Sequence, residues 1–167
     1  MLIRPERPDD VDAIDRLTVA AFEPQWFSDG SEAPIIRALR ASGDLTLSLV
    51  AEDDGDVIGH VAFSPVTIDG SHDGWFGLGP ISVRLDRQRR GVGRALVAEG
   101  LRRLRESEAR GCALIGDPTI YHRLGFRGDG TLSHLGLDRA SVQHITFSGP
   151  SPRGELRFAP AFDAAGH

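Results

Sequence analysis

The stretch Gln88-Arg89-Arg90-Gly91-Val92-Gly93-Arg94 lies between an apolar, β-rich segment, Trp75–Val83, and an amphipathic segment with helical spacing. The first turn of a helix has unpaired N–H groups at the positive end of the helix dipole, and such a turn binds anions. Its two glycines let the backbone approach a phosphate, and its arginines add positive charge. The stretch therefore predicts a phosphate-binding turn, although a glycine-tolerant turn with surface arginines would give the same pattern.

Two common phosphate-binding motifs do not fit this turn. A Walker loop needs a lysine after its last glycine, and the chain contains no lysine. A dinucleotide-binding turn needs a third small residue at the position where Leu96 stands, and it opens its fold instead of following several strands. The sequence therefore lacks both motifs, which disfavours a nucleotide-binding domain.

The rest of the chain predicts a β-α-α start, an antiparallel meander and a β-α-β unit around the glycine turn. The expected strands are Leu2–Arg4, Leu45–Glu52, Val57–Asp69, Trp75–Val83, Cys112–Ile115, His144–Phe147 and Glu155–Phe158, and the expected helices run from Asp9 or Asp10 to Phe22, from Ser31 to Gly43, from the glycine turn to about Ala109 and from Asp117 to Leu124. Within the β-α-β unit, Ile81–Val83 and Cys112–Ile115 should be parallel. Pro80 has no backbone N–H and cannot donate a hydrogen bond to a neighbouring strand, so we expect a bulge there. The fold class is α/β (α+β), with a mixed, mostly antiparallel sheet flanked by helices.

Composition narrows the class of protein further. The chain has 167 residues, 40% of them hydrophobic, and a net charge of −5, values that fit one globular domain and disfavour general binding to nucleic acid. Cys112 is the only cysteine, so neither an internal disulfide nor a zinc knuckle can form. Neither an apolar leader nor a membrane-length apolar run is visible. We expect a cytoplasmic protein with no membrane or nucleic-acid partner.

Two motifs in register resemble the GCN5-related N-acetyltransferase (GNAT) family. Residues 88–93 match its Q-x-x-G-x-G turn, and Tyr121–Phe126 match its Y-x-x-x-G-F segment about thirty residues later. Residues 78–83 are similar to the family's fourth strand. The segments 59–65, 116–118 and 158–162 resemble a bacterial branch of small acetyltransferases, so the resemblance covers nearly the whole chain.

The resemblance implies a GNAT acyl-CoA N-acyltransferase fold over residues 1–167, with a core of about 2–128 and C-terminal strands over about 129–162. It implies an enzyme that uses acetyl-CoA as cosubstrate and transfers acetyl to an amine directly, in a ternary complex. The residues expected to bind the cosubstrate are Ile81, Ser82, Val83, Gln88, Arg89, Arg90, Gly91, Val92, Gly93 and Arg94. Tyr121 is the expected acid for the leaving thiolate, because a phenol is protonated at pH 7. Many members carry an asparagine where Asp117 stands, and its side chain helps hold the cofactor. We do not assign this role to Asp117.

Other polar residues give weaker signals. The sequence identifies no general base, because each candidate fits a structural or solvated role better. The candidates are His60 and Glu52 on predicted strands and Glu23, Asp29, His72 and Asp117 in predicted turns. The histidine spacings match no metal motif, so we expect no metal, and Cys112 fits a small core residue better than a nucleophile.

In the family, the loop between the first two helices and the later strands together frame the acceptor. Here that loop contains Glu23, Trp26, Phe27 and Asp29, a set suited to a cationic or aromatic amine on a small molecule or peptide. A structural role, in which the same residues cap the core, stays open. A homodimer is a further possibility, since it is common among relatives. Two rival functions stay open: a non-catalytic acyl-CoA-binding or regulatory module on the same fold, and a nucleotide-binding domain.

Overall fold

A computed structural model describes residues 1–163 of the chain. Its helices are Val11–Phe22 (α1), Glu32–Ser42 (α2), Val92–Glu106 (α3), Pro118–Tyr121 (α4) and Pro160–Asp163 (α5). Its strands are Leu2–Pro5 (β1), Leu47–Asp53 (β2), Asp56–Pro65 (β3), Thr67–Ile68 (β4), Trp75–Val83 (β5), Gly111–Ile115 (β6), Leu132–Ser133 (β7), Val142–Thr146 (β8) and Gly154–Arg157 (β9). Short 3-10 turns precede α1 and α3 and follow α4.

Within residues 1–163, the main sheet has six strands in the order β1-β2-β3-β5-β6-β8, and only the β5–β6 pair of this sheet is parallel. The prediction of a mixed, mostly antiparallel sheet with flanking helices is therefore confirmed. On one face, α3 packs its apolar stripe on a core that includes Phe63, Leu96 and Leu114. On the other face, α1 and α2 bury Ile14 and Ile36 against the sheet. This arrangement leaves the N-terminus of α3 at the end of β5.

The parallel pair lies one half-strand earlier than predicted. Residues 75–77 of β5 pair with residues 111–113 of β6, whereas Ile81–Val83 pair only with β3. The register between β3 and β5 shifts at this point, because Val61 opposes Ile81 while Phe63 opposes Leu78. The extra residue lies at Gly79 and Pro80, which confirms the expected bulge. Residues 78–83, called here the open edge of β5, therefore have no strand partner among the described residues on the side that faces β6.

The structure corrects two further predictions. The strand expected over Val57–Asp69 stops at Pro65, and the two residues of β4 join β9 and β7 in a separate three-stranded sheet. Asp10, an expected helix cap, makes no capping bond to α1. It accepts two hydrogen bonds from the buried guanidinium of Arg4 instead, at 2.7 and 3.0 Å. A buried cation needs such a partner, and this need outweighs the gain from a cap.

Candidate active site

The N-terminus of α3 has the geometry of an anion-binding turn. The turn brings Arg89 and Gly91 to positive φ, 63° and 86°, and Gly91 is the N-cap of the helix. Within residues 1–163, the backbone N–H groups of residues 91–94 donate to no acceptor. These N–H groups and the helix dipole are therefore available to a negatively charged ligand.

The arginines near this turn divide into two groups. Arg84 and Arg87 are paired, with Asp86 at 2.7 Å and with Asp53 at 2.6 Å. The other three are exposed and make no ion pair within the described part of the chain, and they are Arg89, Arg90 and Arg94. The three unpaired guanidiniums are those that the sequence assigned to the anion. A diphosphate at the turn would find unpaired N–H groups beside them.

Gln88 and Gly93 connect the turn to the open edge of β5. The side-chain amide of Gln88 donates to the carbonyl of Val83 at 3.1 Å, so this residue holds the turn against the end of the strand. A Cβ on Gly93 would lie 3.8 Å from Val83 and 3.9 Å from Ile81, which is ordinary contact distance. The fold itself thus does not require glycine at position 93. Val92 is buried in the core beneath the turn.

Tyr121 is the last residue of α4, and its partly buried ring packs near Phe126, Gly116 and the core cluster around α3. The ring lies edge-on to Phe126, with centroids 6.0 Å apart, and packs on the core cluster that Ile81 and Val83 also contact. A Cβ on Gly116 would lie only 2.7 Å from the ring, so glycine makes room for it. The hydroxyl has no hydrogen-bond partner among the described residues. Burial raises the pKa of Tyr121, which keeps the phenol protonated and able to donate.

Asp117 has a clear local role. Its carboxylate accepts from the backbone N–H of Thr119 at 2.9 Å and from the Thr119 hydroxyl at 2.8 Å, and so caps α4. These bonds lower the pKa of Asp117. Nearby, Gln143 donates to the carbonyl of Gly116 at 3.0 Å and ties the end of β6 to β8. Asp117 therefore fixes the short helix that presents Tyr121.

The loop between α1 and α2 exposes two aromatic rings. Trp26 is 93% exposed and Phe27 is 61% exposed, with ring centroids 5.9 Å apart in an edge-on arrangement. Glu23 ends α1, and the Asp29 carboxylate accepts from the Ser31 N–H at 3.0 Å. The four residues that the sequence assigned to an acceptor thus lie on one loop.

Several observations bear on other classes of site. Residues 1–163 contain no group of three or more potential metal ligands, and none of the helices in that range is long and apolar enough to cross a membrane. Cys112 is fully buried on β6, and burial raises the pKa of its thiol, which makes it a poor nucleophile. A groove of about 530 Å³ between α1 and the end of β5 contains none of the predicted site residues.

Comparison with known families identifies the class. The model of the acetyltransferase (GNAT) domain matches residues 44–128, which include β5, the glycine turn, α3 and Tyr121. The chain belongs to the GNAT acetyltransferase family, and the predicted enzyme class, an acyltransferase, is confirmed.

Similar proteins are known from two bacteria. The N-acetyltransferase YhbS of Escherichia coli is 46% identical over 127 residues, which are 75% of this chain and 73% of YhbS. A GNAT acetyltransferase from Brucella melitensis, solved with acetyl-CoA, is 47% identical with a TM-score of 0.87 and covers 97% of both chains. The structure of E. coli YhbS with CoA has a TM-score of 0.87 at 34% identity, covering 97% of this chain and 91% of that one.

Proposed function

We propose that this protein transfers the acetyl group of acetyl-CoA to an amine by direct attack in a ternary complex. The observation that carries the proposal is the junction of β5 and α3, where unpaired N–H groups and three unpaired arginines adjoin the open edge. The similar proteins from B. melitensis and E. coli were solved with acetyl-CoA and CoA, which supports the same cosubstrate here.

The cosubstrate would follow the line from the turn to the open edge. Its diphosphate would bind the N–H groups of residues 91–94 and the arginines Arg89, Arg90 and Arg94, while Gln88 keeps the turn in place through Val83. The pantetheine arm would then continue along Ile81, Ser82 and Val83, whose backbone groups pair with no described strand on the side that faces β6. An extended chain that pairs with an open strand edge gains hydrogen bonds that the sheet leaves unmade.

The chemistry needs an oxyanion donor and an acid. As the amine attacks the thioester carbon, negative charge develops on the carbonyl oxygen, and a fixed backbone N–H of the open edge would stabilise it. Collapse of this intermediate breaks the carbon–sulfur bond and releases a thiolate. Tyr121 would protonate this thiolate, because its hydroxyl is protonated and bonded to no other described group.

The acceptor would be a cationic or aromatic amine, on a small molecule or a peptide. The exposed rings of Trp26 and Phe27 offer faces on which a cation or an aromatic group can stack, and Glu23 and Asp29 add negative charge. We place the catalytic unit in a single domain over residues 1–167. A homodimer stays a proposal.

A broad acceptor screen tests the proposed function. The protein is incubated with acetyl-CoA and a panel of small amines and peptides, and release of the CoA thiol is followed. We expect turnover with cationic or aromatic amines and little with anionic ones. Tight CoA binding measured by calorimetry, together with no turnover on the whole panel, would instead support the rival non-catalytic module.

A further inference from the structure

The face of the sheet opposite α3 carries a row of buried polar side chains. A Cβ on Gly59 would lie 2.9 Å from Val92 of α3, and side chains alternate along a strand, so His60 and Ser64 point to the α1 side. Ile81 and Val83 flank the Cβ position of Gly93 on the α3 side, so Ser82 also points to the α1 side. His60, Ser64 and Ser82 are each at most 3% exposed. Polar groups at such depth need hydrogen-bond partners.

A chain of hydrogen bonds fixes the tautomer of His60. Arg40 donates twice to the Glu6 carboxylate, at 3.0 and 2.9 Å, and the Ser48 hydroxyl bonds to the same carboxylate. Because an ionised carboxylate only accepts, the Ser48 hydroxyl must donate to Glu6. The Ser48 oxygen, 2.8 Å from His60 Nε2, therefore accepts from an Nε2–H group. In the neutral ring this leaves a lone pair on Nδ1.

Two unpartnered atoms belong to residues that face each other across β3 and β5. His60 Nδ1 and Ser82 Oγ are both buried and have no hydrogen-bond partner within residues 1–163. His60 and Ser82 are directly opposite each other on β3 and β5, so their Cβ atoms are about 5 Å apart. Ser82 also belongs to the open edge, between Ile81 and Val83. A buried polar site with two such partners has the chemistry to hold one water molecule.

We propose that His60 and Ser82 hold a water that receives the proton of the attacking amine, with His60 Nδ1 as the final acceptor of that proton. The proposal rests on the proposed function, because the open edge must bind the thioester for this water to lie near the reaction. Burial lowers the pKa of His60 to about 4, so the ring is neutral at pH 7 and its Nδ1 can accept. Glu6 acts through Ser48 as a positioning group, which keeps the tautomer and offsets part of the cost of a buried imidazolium.

The transfer balances in atoms and charge. The amine nitrogen forms a bond to the carbonyl carbon and loses one proton through the water to His60 Nδ1. The carbon–sulfur bond breaks, and the thiolate takes one proton from Tyr121. Bulk water later removes the proton from His60 and returns one to the tyrosine oxygen, so acetyl-CoA and amine give amide and CoA.

Kinetics of three variants test the inference with the best amine from the screen. His60→Gln keeps a donor to Ser48 but removes the basic Nδ1, and we expect kcat to fall roughly 10²-fold while the affinity for CoA is unchanged. Ser82→Ala should lower kcat about fivefold, since the water loses one partner. Ser64→Ala is the matched control, because it removes an equally buried hydroxyl opposite Gly77, before the bulge, and should leave kcat unchanged.

Nitrogen NMR of the protein labelled with ¹⁵N-histidine tests the tautomer without any turnover. The signal absent from His60→Gln identifies His60, and at pH 7 we expect a protonated Nε2 and an unprotonated Nδ1. A protonated Nδ1 overturns the inference, and so does wild-type kcat in both His60→Gln and Ser82→Ala, while the proposed function stands in either case. Absence of wild-type turnover with every amine overturns the proposed function itself and the inference with it.

Discussion

The first half of β5, residues 75–77, and its second half, residues 81–83, belong to one strand but have different surroundings. The first half pairs with β3 on one edge and β6 on the other, and a Cβ on Gly77 would lie 2.7 Å from Val66. Among the described strands, the second half pairs only with β3, and the nearby position of Gly93 has room for a side chain. One strand thus separates the part that holds the fold from the part that is available to a ligand.

The strongest test of this separation is Tyr121→Phe. The hydroxyl has no partner among the described residues, so its loss should leave the melting temperature and the affinity for acetyl-CoA nearly unchanged. We expect kcat to fall by roughly 10²–10⁴, the range for a positioned acid, with kcat/KM falling equally. Steady-state kinetics and a thermal melt on one preparation measure both quantities. A variant with wild-type turnover and a lower melting temperature would show a structural role instead.

Acid should destabilise the protein through His60, which lies opposite Ser82 in the second half of β5. His60 has its pKa lowered from 6.5 to about 4 by burial, with Glu6 opposing and Arg40 adding to the shift. In the unfolded chain, His60 therefore binds a proton near pH 6.5, whereas in the folded protein it binds one only near pH 4. Stability is full above pH 6.5 and falls on the order of 3 kcal/mol as the pH drops to about 4.

Urea unfolding at several pH values measures this loss, and His60→Gln should lack it over the same interval. The carboxyl groups contribute in a lower pH range. Arg4 lowers the pKa of Asp10 below its ordinary 3.8, so the stability that this carboxylate gives is lost only as the pH falls further. Equal slopes for the wild type and His60→Gln between pH 6.5 and 4 would contradict the assignment to His60.

A pair of glycine substitutions compares the two halves directly. Gly77→Ala places a methyl against Val66 and Phe158 and should cost about 1–3 kcal/mol of stability while leaving the CoA affinity of the folded protein intact. Gly93→Val should do the opposite, with a nearly unchanged melt and CoA binding weakened about tenfold or more, because its side chain would occupy the approach of the diphosphate. Gly91→Val is less informative, since a φ of 86° strains any side chain.

The smallest expected effect concerns the three unpaired arginines. If Arg89, Arg90 and Arg94 meet phosphates, CoA should bind a few-fold more weakly as salt rises from low to physiological ionic strength. Arg84→Gln is a control variant. Because Arg84 already pairs with Asp86, its loss should leave the CoA affinity and the salt dependence of that affinity unchanged. Dephospho-CoA should bind more weakly than CoA if one arginine reaches the 3′-phosphate. Calorimetry with both ligands at two salt concentrations decides this, and identical affinities throughout would leave these arginines as surface charge only.

The sequence predicted those features that depend on local pattern. The order of the main elements, the bulge at Pro80 and the helix at Asp117 followed from periodicity, from proline chemistry and from an Asp-Pro start. The open edge could not be predicted, because the point at which β5 leaves β6 depends on partners far along the chain. The two-residue strands β4 and β7 show no periodicity, and the recruitment of Asp10 by Arg4 is a tertiary effect.

In the candidate site, too, the sequence predicted the features with a local pattern and missed those that depend on tertiary contacts. The glycine turn and Tyr121 carry motifs, whereas the role of Gln88 in anchoring the turn became visible only through its bond to Val83. The buried row beneath α1 did leave a trace in the sequence. Along β3, the small or apolar residues Gly59, Val61 and Phe63 alternate with a set on the opposite face that includes His60 and Ser64, an unusual pattern for a strand buried on both faces.

The short parallel ladder also bears on how the molecule opens. Within residues 1–163, the register of three residue pairs at 75–77 and 111–113 is the only ladder between the β1–β5 part of the main sheet and the β6–β8 part. We therefore expect the two parts to behave as separate exchange units, with amide protons of residues 75–77 and 111–113 exchanging before those inside either part. A molecule bound along the open edge would connect the two parts of the sheet. Hydrogen exchange of the amides in this ladder would then slow on cosubstrate binding, even where no atom of the cosubstrate touches the amide.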